Sequence, residues 1–213
     1  MHNNDVQRNE NWFADRLGVP TASRYKDVMT QPISKADKDS GVLSDTAQSY
    51  MLEILAEKLT GERKDFSSSA TDWGNYNEPL AVEAYQEMTG NSVLECGFVK
   101  HKNIATGASP DGVIGLDGTL EIKCPFNSVN HLRNKITREV PKEYTWQVQG
   151  QMMVLGTEWN DFVSFDPRMD LNAGLSIVRI YRDDKMIKQL EDSLIRFNEL
   201  LNDTYDKLTT VEF

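Results

Sequence analysis

This sequence predicts an α/β (α+β) chain whose central mixed β-sheet is flanked by helices. Three observations carry the prediction. The hydrophobic spacing is helical up to about residue 90 and becomes short, β-prone and turn-broken from Val93 onward. The later order is strands, a helical insertion, two more strands and a closing helix, which suits helices packed on a mixed sheet. A length of 213 residues suits one compact domain over 1–213. It divides into a helical part to about residue 90, a sheet part to about 182 and a closing helix to about 208.

The elements follow in order. Trp12 to Met29 reads as helix interrupted by Gly18-Val19-Pro20, with Thr21 and Ser23 placed to cap a second helix. Gln31 to Val42 is polar and holds Pro32 and Gly41, so it reads as a mobile loop. Ser44 to Leu59 repeats apolar residues at Met51, Leu52, Leu55 and Leu59 and is ended by Gly61. Thr71 to Met88 is helical in spacing, although Pro79 must start, kink or split it. Val93 to Lys100, Ile104 to Ala108, Val113 to Leu116 and Thr119 to Cys124 read as short strands. Phe126 to Arg138 and Glu143 to Leu155 return to helix. Trp159 to Phe165 and Leu175 to Tyr181 read as strands, and Asp183 to Leu208 as a long amphipathic helix.

Composition narrows the function classes. No window approaches the roughly 20 apolar residues of a membrane span. Met1 to Trp12 is polar and Asn-rich, unlike a signal peptide, so the expected location is the cytoplasm. Cys96 and Cys124 are too few for a disulfide framework or a four-cysteine metal site, and read as reduced thiols. A formal charge of −10 argues against a protein that coats DNA through a basic exterior. The charge is uneven, however. Lys123 to Lys142 holds five basic residues (Lys123, Arg133, Lys135, Arg138, Lys142) and one acid, whereas Asp183 to Phe213 holds eight acids and four bases. One surface could hold DNA while another repels it; a solvated loop beside a solvated helix would carry the same charges.

The informative stretch is Ser109-Pro110-Asp111-Gly112 followed, with nine residues between Asp111 and Glu121, by Glu121-Ile122-Lys123. Glu121 and Lys123 sit two apart on a strand and share one face. A charged outer face on an edge strand would look the same. Register separates the two readings. A two-residue loop at Asp117-Gly118 sets Asp111 on the face opposite Glu121. A three-residue loop, Leu116 to Gly118 with Gly118 left-handed, sets Asp111 beside Lys123 on the same face, and this or an equivalent bulge is expected. Two close carboxylates repel unless a cation lies between them. Hard oxygen donors suit Mg²⁺, with Mn²⁺ as substitute. An ammonium beside an attacking water would stabilise the charge building on a phosphate. The spacing alone is a weak signal.

Six ordered motifs add to it: Leu17-Gly18-Val19-Pro20-Thr21-Ala22-Ser23, Trp73-Gly74-x₃-Glu78, Ser109-Pro110-Asp111-Gly112, Glu121-Ile122-Lys123-Cys124-Pro125-Phe126, Gln147-Val148-Gln149 and Asp166-Pro167-Arg168-Met169. Together they span roughly residues 12 to 181, and the set resembles the phage lambda exonuclease family of YqaJ-type viral recombinases. The resemblance implies a restriction-endonuclease-like core and a Mg²⁺-dependent 5′-to-3′ exonuclease that digests one strand of linear duplex DNA, leaving 3′ single-stranded overhangs for recombination. It implies Asp111, Glu121 and the Ile122 carbonyl as metal ligands, with Lys123 assisting the water. Glu78 would act on a metal or its water, though Pro79 suggests a helix starting at Glu78, where an acid simply complements the helix dipole. Gln147 would orient water or touch phosphate; Gln147 and Gln151 could equally form a polar helical stripe.

The resemblance also implies a 5′-phosphate pocket of Arg16, Thr21, Ser23 and Ser109, without which Thr21 and Ser23 would be ordinary caps. Arg133, Lys135, Arg138 and Lys142 are candidates for duplex contacts. His101 reads as a surface histidine. The implied setting is a homotrimer in a bacterial host cell, of phage or prophage origin, working with a single-strand annealing protein. The alternatives are an endonuclease or repair nuclease on the same core, and a non-catalytic DNA-binding assembly protein.

Overall fold

The computed structural model describes residues 7–63 and 68–210. Residues 1–6 of the polar leader lie outside the described residues. The N-terminal part holds α1 (Glu10–Arg16), a 3-10 turn (Ala22–Arg24), α2 (Tyr25–Met29), α3 (Lys35–Ser40), α4 (Asp45–Thr60) and α5 (Ser69–Thr89). Then come β1 (Val99–Lys100), β2 (Gly107–Ala108), β3 (Gly112–Ile114), β4 (Gly118–Lys123), α6 (Ser128–Thr137) and α7 (Lys142–Leu155). The chain continues through β5 (Trp159–Phe165), α8 (Leu171–Gly174), β6 (Leu175–Tyr181) and α9 (Asp184–Thr209). None of the described helices is long and apolar enough to cross a membrane.

The main sheet is mixed, in the order β3-β4-β5-β6, antiparallel at both margins and parallel between β4 and β5. β1 and β2 form a separate small ribbon. The expected strand Val93 to Lys100 shrinks to Val99–Lys100 plus one bridge from Leu94 to Val113.

Local signals explain most helix ends. Ser44 accepts from Ala47 N at the start of α4, and left-handed Gly61 ends it. The stretch 31–42, read as a loop, contains α3. Its Ser34 accepts from Asp37 N while donating to Asp37 Oδ2, a reciprocal cap, and Gly41 closes it. Thr21 occupies a cap position but makes no side-chain cap.

The helix expected to start, kink or split at Pro79 is one continuous element, Ser69–Thr89. Proline removes a donor and costs roughly 3 kcal/mol inside a helix. The turns after Pro79 offset that cost, because Ala81, Ala84 and Tyr85 bury against Leu120, Ile122 and Val163 of the sheet.

α7 lies between the opposite sheet face and a helical cluster. Tyr25, Ile54, Leu190, Leu194 and Phe197 form that cluster with Met153 and Val154. Every residue of α7 from Gln147 to Val154 is buried. Gly150 permits this approach, since a Cβ there would fall 2.3 Å from the Tyr25 ring. β4 therefore divides its side chains. Leu120, Ile122 and Cys124 join the α5-side core, while Thr119, Glu121 and Lys123 take the other face.

Candidate active site

The β3–β4 hairpin sets the site. Gly112 pairs with Leu120, Val113 with Thr119 and Ile114 with Gly118, leaving a three-residue loop, Gly115 to Asp117. The left-handed residue is Gly115 at φ 60°, not Gly118 as the sequence suggested. The pairing is thus two residues from the expected one and places Asp111 across from Glu121 rather than beside Lys123. Both registers are even, so the two carboxylates share a face.

Strand pairing stops at Gly112. The Ile122 N–H beyond it is taken instead by Asp111 Oδ2 at 2.6 Å. β4 is not an edge strand and its charged face is not an outer one. Glu121 is 1% exposed, enclosed beneath α7. Gln147 Nε2 donates to its Oε1 (2.6 Å), Gln151 Nε2 donates to its Oε2 (2.5 Å), and Lys123 Nζ also reaches Oε1. Gln147 and Gln151 do share one helical face, and both are buried donors to one carboxylate. Lys123 Nζ lies 5.0 Å from the centre of the Tyr144 ring, whose other neighbour is Phe162.

Charge is concentrated here. Burial, then Glu121, then Glu78 push the Asp111 carboxyl well above the usual range, against Lys123 and the Ile122 N–H. Burial disfavours the Lys123 ammonium, but Glu121 and Asp111 outweigh it and hold the proton more tightly than in water. Burial, Glu78 and Asp111 push the Cys124 thiol up to about 12, so it stays protonated; neither cysteine is in a disulfide.

Glu78 sits in the middle of α5 rather than at a helix start, so the helix-dipole account of it does not apply. Its Oε2 is 2.8 Å from Arg8 Nη2. Arg8 has φ 62°, and neighbouring Gln7 donates to the Pro110 carbonyl (2.8 Å). Among the described residues no three of His, Cys, Asp and Glu form a ready metal cluster. The donor set nonetheless fits a hard cation. Acidic charge from three residues converges at Asp111, and Asp111 Oδ1 has no hydrogen-bond donor among the described residues.

Beside them is a cleft of about 980 Å³, whose wall includes Arg8, Glu78, Asp111, Lys123, Arg133 and Lys142, whereas Glu121 is buried and not part of that wall. Of the four basic residues proposed for duplex contact, Arg133 and Lys142 line it. Lys135 is instead held by the Leu175 carbonyl (2.5 Å), and Arg138 forms the left-handed end of α6. His101 lies away from the cleft, its Nδ1 accepting from Ile104 N (3.1 Å).

None of the four phosphate candidates lines the cleft; they are linked in pairs. The Arg16 guanidinium lies 4.1 Å over the Trp12 ring, and Trp12 Nε1 donates to Ser109 Oγ (2.9 Å). Thr21 bridges to Gly107 and its hydroxyl is 3.3 Å from that of Ser23. The Ser109 hydrogen goes to the Gly97 carbonyl (3.1 Å), so a phosphate would take it only by displacing that acceptor.

At the rim, Arg168 grips both oxygens of Asp166 (2.7 and 2.8 Å), donates to the Phe126 carbonyl (3.1 Å) and lies 4.6 Å over Trp73. This grip, against burial, holds the Asp166 carboxyl down at about 2. Arg8, Tyr144, Gln151 and Asn160 were not singled out from sequence as site groups. The helical spacing 144, 147, 151 was a usable signal for two of them; nothing local marks Arg8 or Asn160.

The model of the YqaJ-like viral recombinase domain matches residues 11–158. Among curated proteins, none matches. Among solved structures, the alkaline exonuclease LHK-Exo from Laribacter hongkongensis is similar at 37% identity and TM-score 0.85, over 94% of this chain and 96% of that one. The same enzyme in complex with dAMP gives 38% identity and TM-score 0.84 over the same shares. A phage-related exonuclease from Haemophilus somnus 129PT shares the fold at 19% identity and TM-score 0.76, over 90% of this chain and 96% of that one.

Proposed function

Because the chain belongs to the YqaJ-like viral recombinase domain family and has the alkaline exonuclease fold, we propose that it is a Mg²⁺-dependent deoxyribonuclease that degrades one strand of linear duplex DNA from the 5′ end. The observation that carries this reading is the meeting of Asp111 and Lys123 at the cleft, with buried Glu121 held against Lys123 and Glu78 close enough to act on Asp111.

Asp111, Glu121 and the Ile122 carbonyl would hold Mg²⁺ or Mn²⁺, with Glu78 joining them when Arg8 lets go. When bound, such an ion lowers the pKa of a water and offsets charge on the phosphate. Lys123 keeps its proton beside the carboxylates and stabilises charge on the reacting phosphate. Gln147 holds Glu121 in place, and Tyr144 faces the ammonium from its other side. Arg133 and Lys142 offer local positive charge on a chain of net charge −10. Arg16, Thr21, Ser23 and Ser109 would receive the 5′-phosphate, Ser109 by giving up the Gly97 carbonyl. A homotrimer working with a single-strand annealing protein belongs to the same proposal, as does a cytoplasmic setting.

The test is incubation with 5′-phosphorylated linear duplex and Mg²⁺, beside covalently closed circles and the Asp111→Ala variant. Loss of one strand from the linear DNA alone, abolished in the variant, is the expected result. Cutting of the circles would favour an endonuclease. No digestion of either DNA, or an active Asp111→Ala, would sink the enzyme reading.

A further inference from the structure

Phe126 lies on the wall of the cleft with 56% of its surface exposed. Single exposed apolar residues are ordinary, but this one is braced. Its ring meets the Trp73 ring at 90°, with centres 6.0 Å apart. Trp73 is itself covered by the Arg168 guanidinium at 4.6 Å. The indole N–H of Trp73 is buried with no hydrogen-bond partner among the described residues, so ring contacts rather than a polar bond set its plane. Arg168 also donates to the Phe126 carbonyl (3.1 Å) while gripping buried Asp166 (2.7 and 2.8 Å). On the next residue, Asn127 accepts from Val129 N (3.0 Å) and caps α6. Ring and backbone of Phe126 are thus held in place while more than half of the side chain stays open to the cleft.

From this we infer that Phe126 is a stacking platform for a nucleobase of the strand being degraded. This role rests on the deoxyribonuclease reading above and deepens it, since the carboxylates, Lys123 and the phosphate candidates all address the backbone and none addresses a base. Arg133 and Lys142 on the same wall offer charge to phosphates, whereas a base presents a flat apolar face that a rigid aromatic matches. An aromatic already fixed in position loses little freedom on binding. The chain from Lys123 to Phe126 spans at most roughly 11 Å, so the base belongs to a nucleotide close to the reacting phosphate. Every base has such a face, so the contact holds the strand without reading its sequence.

The test is fluorescence anisotropy of the full chain, in chelator, on a 5′-phosphorylated linear duplex and on the same duplex with abasic residues in the first few nucleotides of the 5′ strand. The parent is compared with Phe126→Ala, Phe126→Leu and Phe126→Trp, each first checked for a cooperative melt. The parent is expected to bind the duplex with bases about tenfold more tightly than the abasic one. Phe126→Ala is expected to lose that preference while binding the abasic duplex as the parent does. Phe126→Leu, apolar but without a π face, is expected to follow the alanine variant, and Phe126→Trp to keep the preference. Equal weakening on both duplexes in Phe126→Ala overturns the inference, as does a preference that survives in Phe126→Ala or Phe126→Leu, or that the parent lacks. A parent chain that binds neither duplex overturns the deoxyribonuclease reading along with it.

Discussion

Asp111 reaches across the β3–β4 hairpin and takes the main-chain hydrogen of Ile122 through Oδ2 at 2.6 Å. The acid of one strand is thereby fastened to the backbone between Glu121 and Lys123. The position is electrostatically costly, since the same carboxylate is crowded by Glu121 and Glu78. Asp111→Asn keeps an oxygen for Ile122 and removes the repulsion. In chelator at neutral pH it is expected to melt above the parent, by roughly 2–4 °C for each kcal/mol relieved, while losing DNA cleavage. A lower melting temperature than the parent would contradict the crowding account.

Lys123 donates to Glu121 without being a candidate metal ligand. Lys123→Met is expected to bind Mn²⁺ and duplex DNA with parental affinity yet to cut about a hundredfold more slowly in single-turnover assays. Weakened metal binding with intact single-turnover chemistry would reassign the residue to assembly of the site.

Arg8 covers Glu78 from a short N-terminal stretch. Its side chain is 43% exposed, so the ion pair is a weak one and the effect of losing it is small. Arg8→Gln is expected to lower the Mg²⁺ concentration for half-maximal activity by about two- to fivefold. A higher requirement would mean that Arg8 serves DNA binding rather than competing for Glu78.

Arg16, stacked on Trp12, is the cation among the phosphate candidates. Arg16→Gln is expected to slow digestion of 5′-phosphorylated duplex by about tenfold while leaving 5′-hydroxyl duplex nearly unchanged. Equal slowing on both ends would place Arg16 in the support of α1 instead.

Asp166 supplies a pH prediction. Its folded value, about 2, is held below the unfolded one by Arg168, against burial. A depressed acid contributes stability above its unfolded pKa and loses it as pH falls through the folded value. Equilibrium denaturation should therefore show a stability loss between pH of about 4 and about 2 that Asp166→Asn diminishes. An unchanged acid limb in the variant would show that the Arg168 grip does not contribute to folding.

Much of this molecule is determined by local sequence. β5 and β6 begin and end where the alternation predicts, and Ser44 and Gly61 bound α4, because such preferences act within a few residues. The shared face of Asp111 and Glu121 also follows from sequence, since strand side chains alternate with period two and any odd-length loop preserves the parity. Loop placement did not follow: Gly115 and Gly118 both suit a turn, and pairing with the rest of the sheet selects between them.

α5 passing through Pro79 is likewise a tertiary decision, made by burial of Ala81, Ala84 and Tyr85 against β4 and β5. The surroundings of Glu121 show the same division. Its nearness to Lys123 is a matter of two residues on a strand. The Gln147 and Gln151 amides arrive from 26 and 30 residues away, and Asn160 orients one of them. A local pattern cannot specify which distant donor fills a buried lone pair; only the packing of α7 onto the sheet decides it.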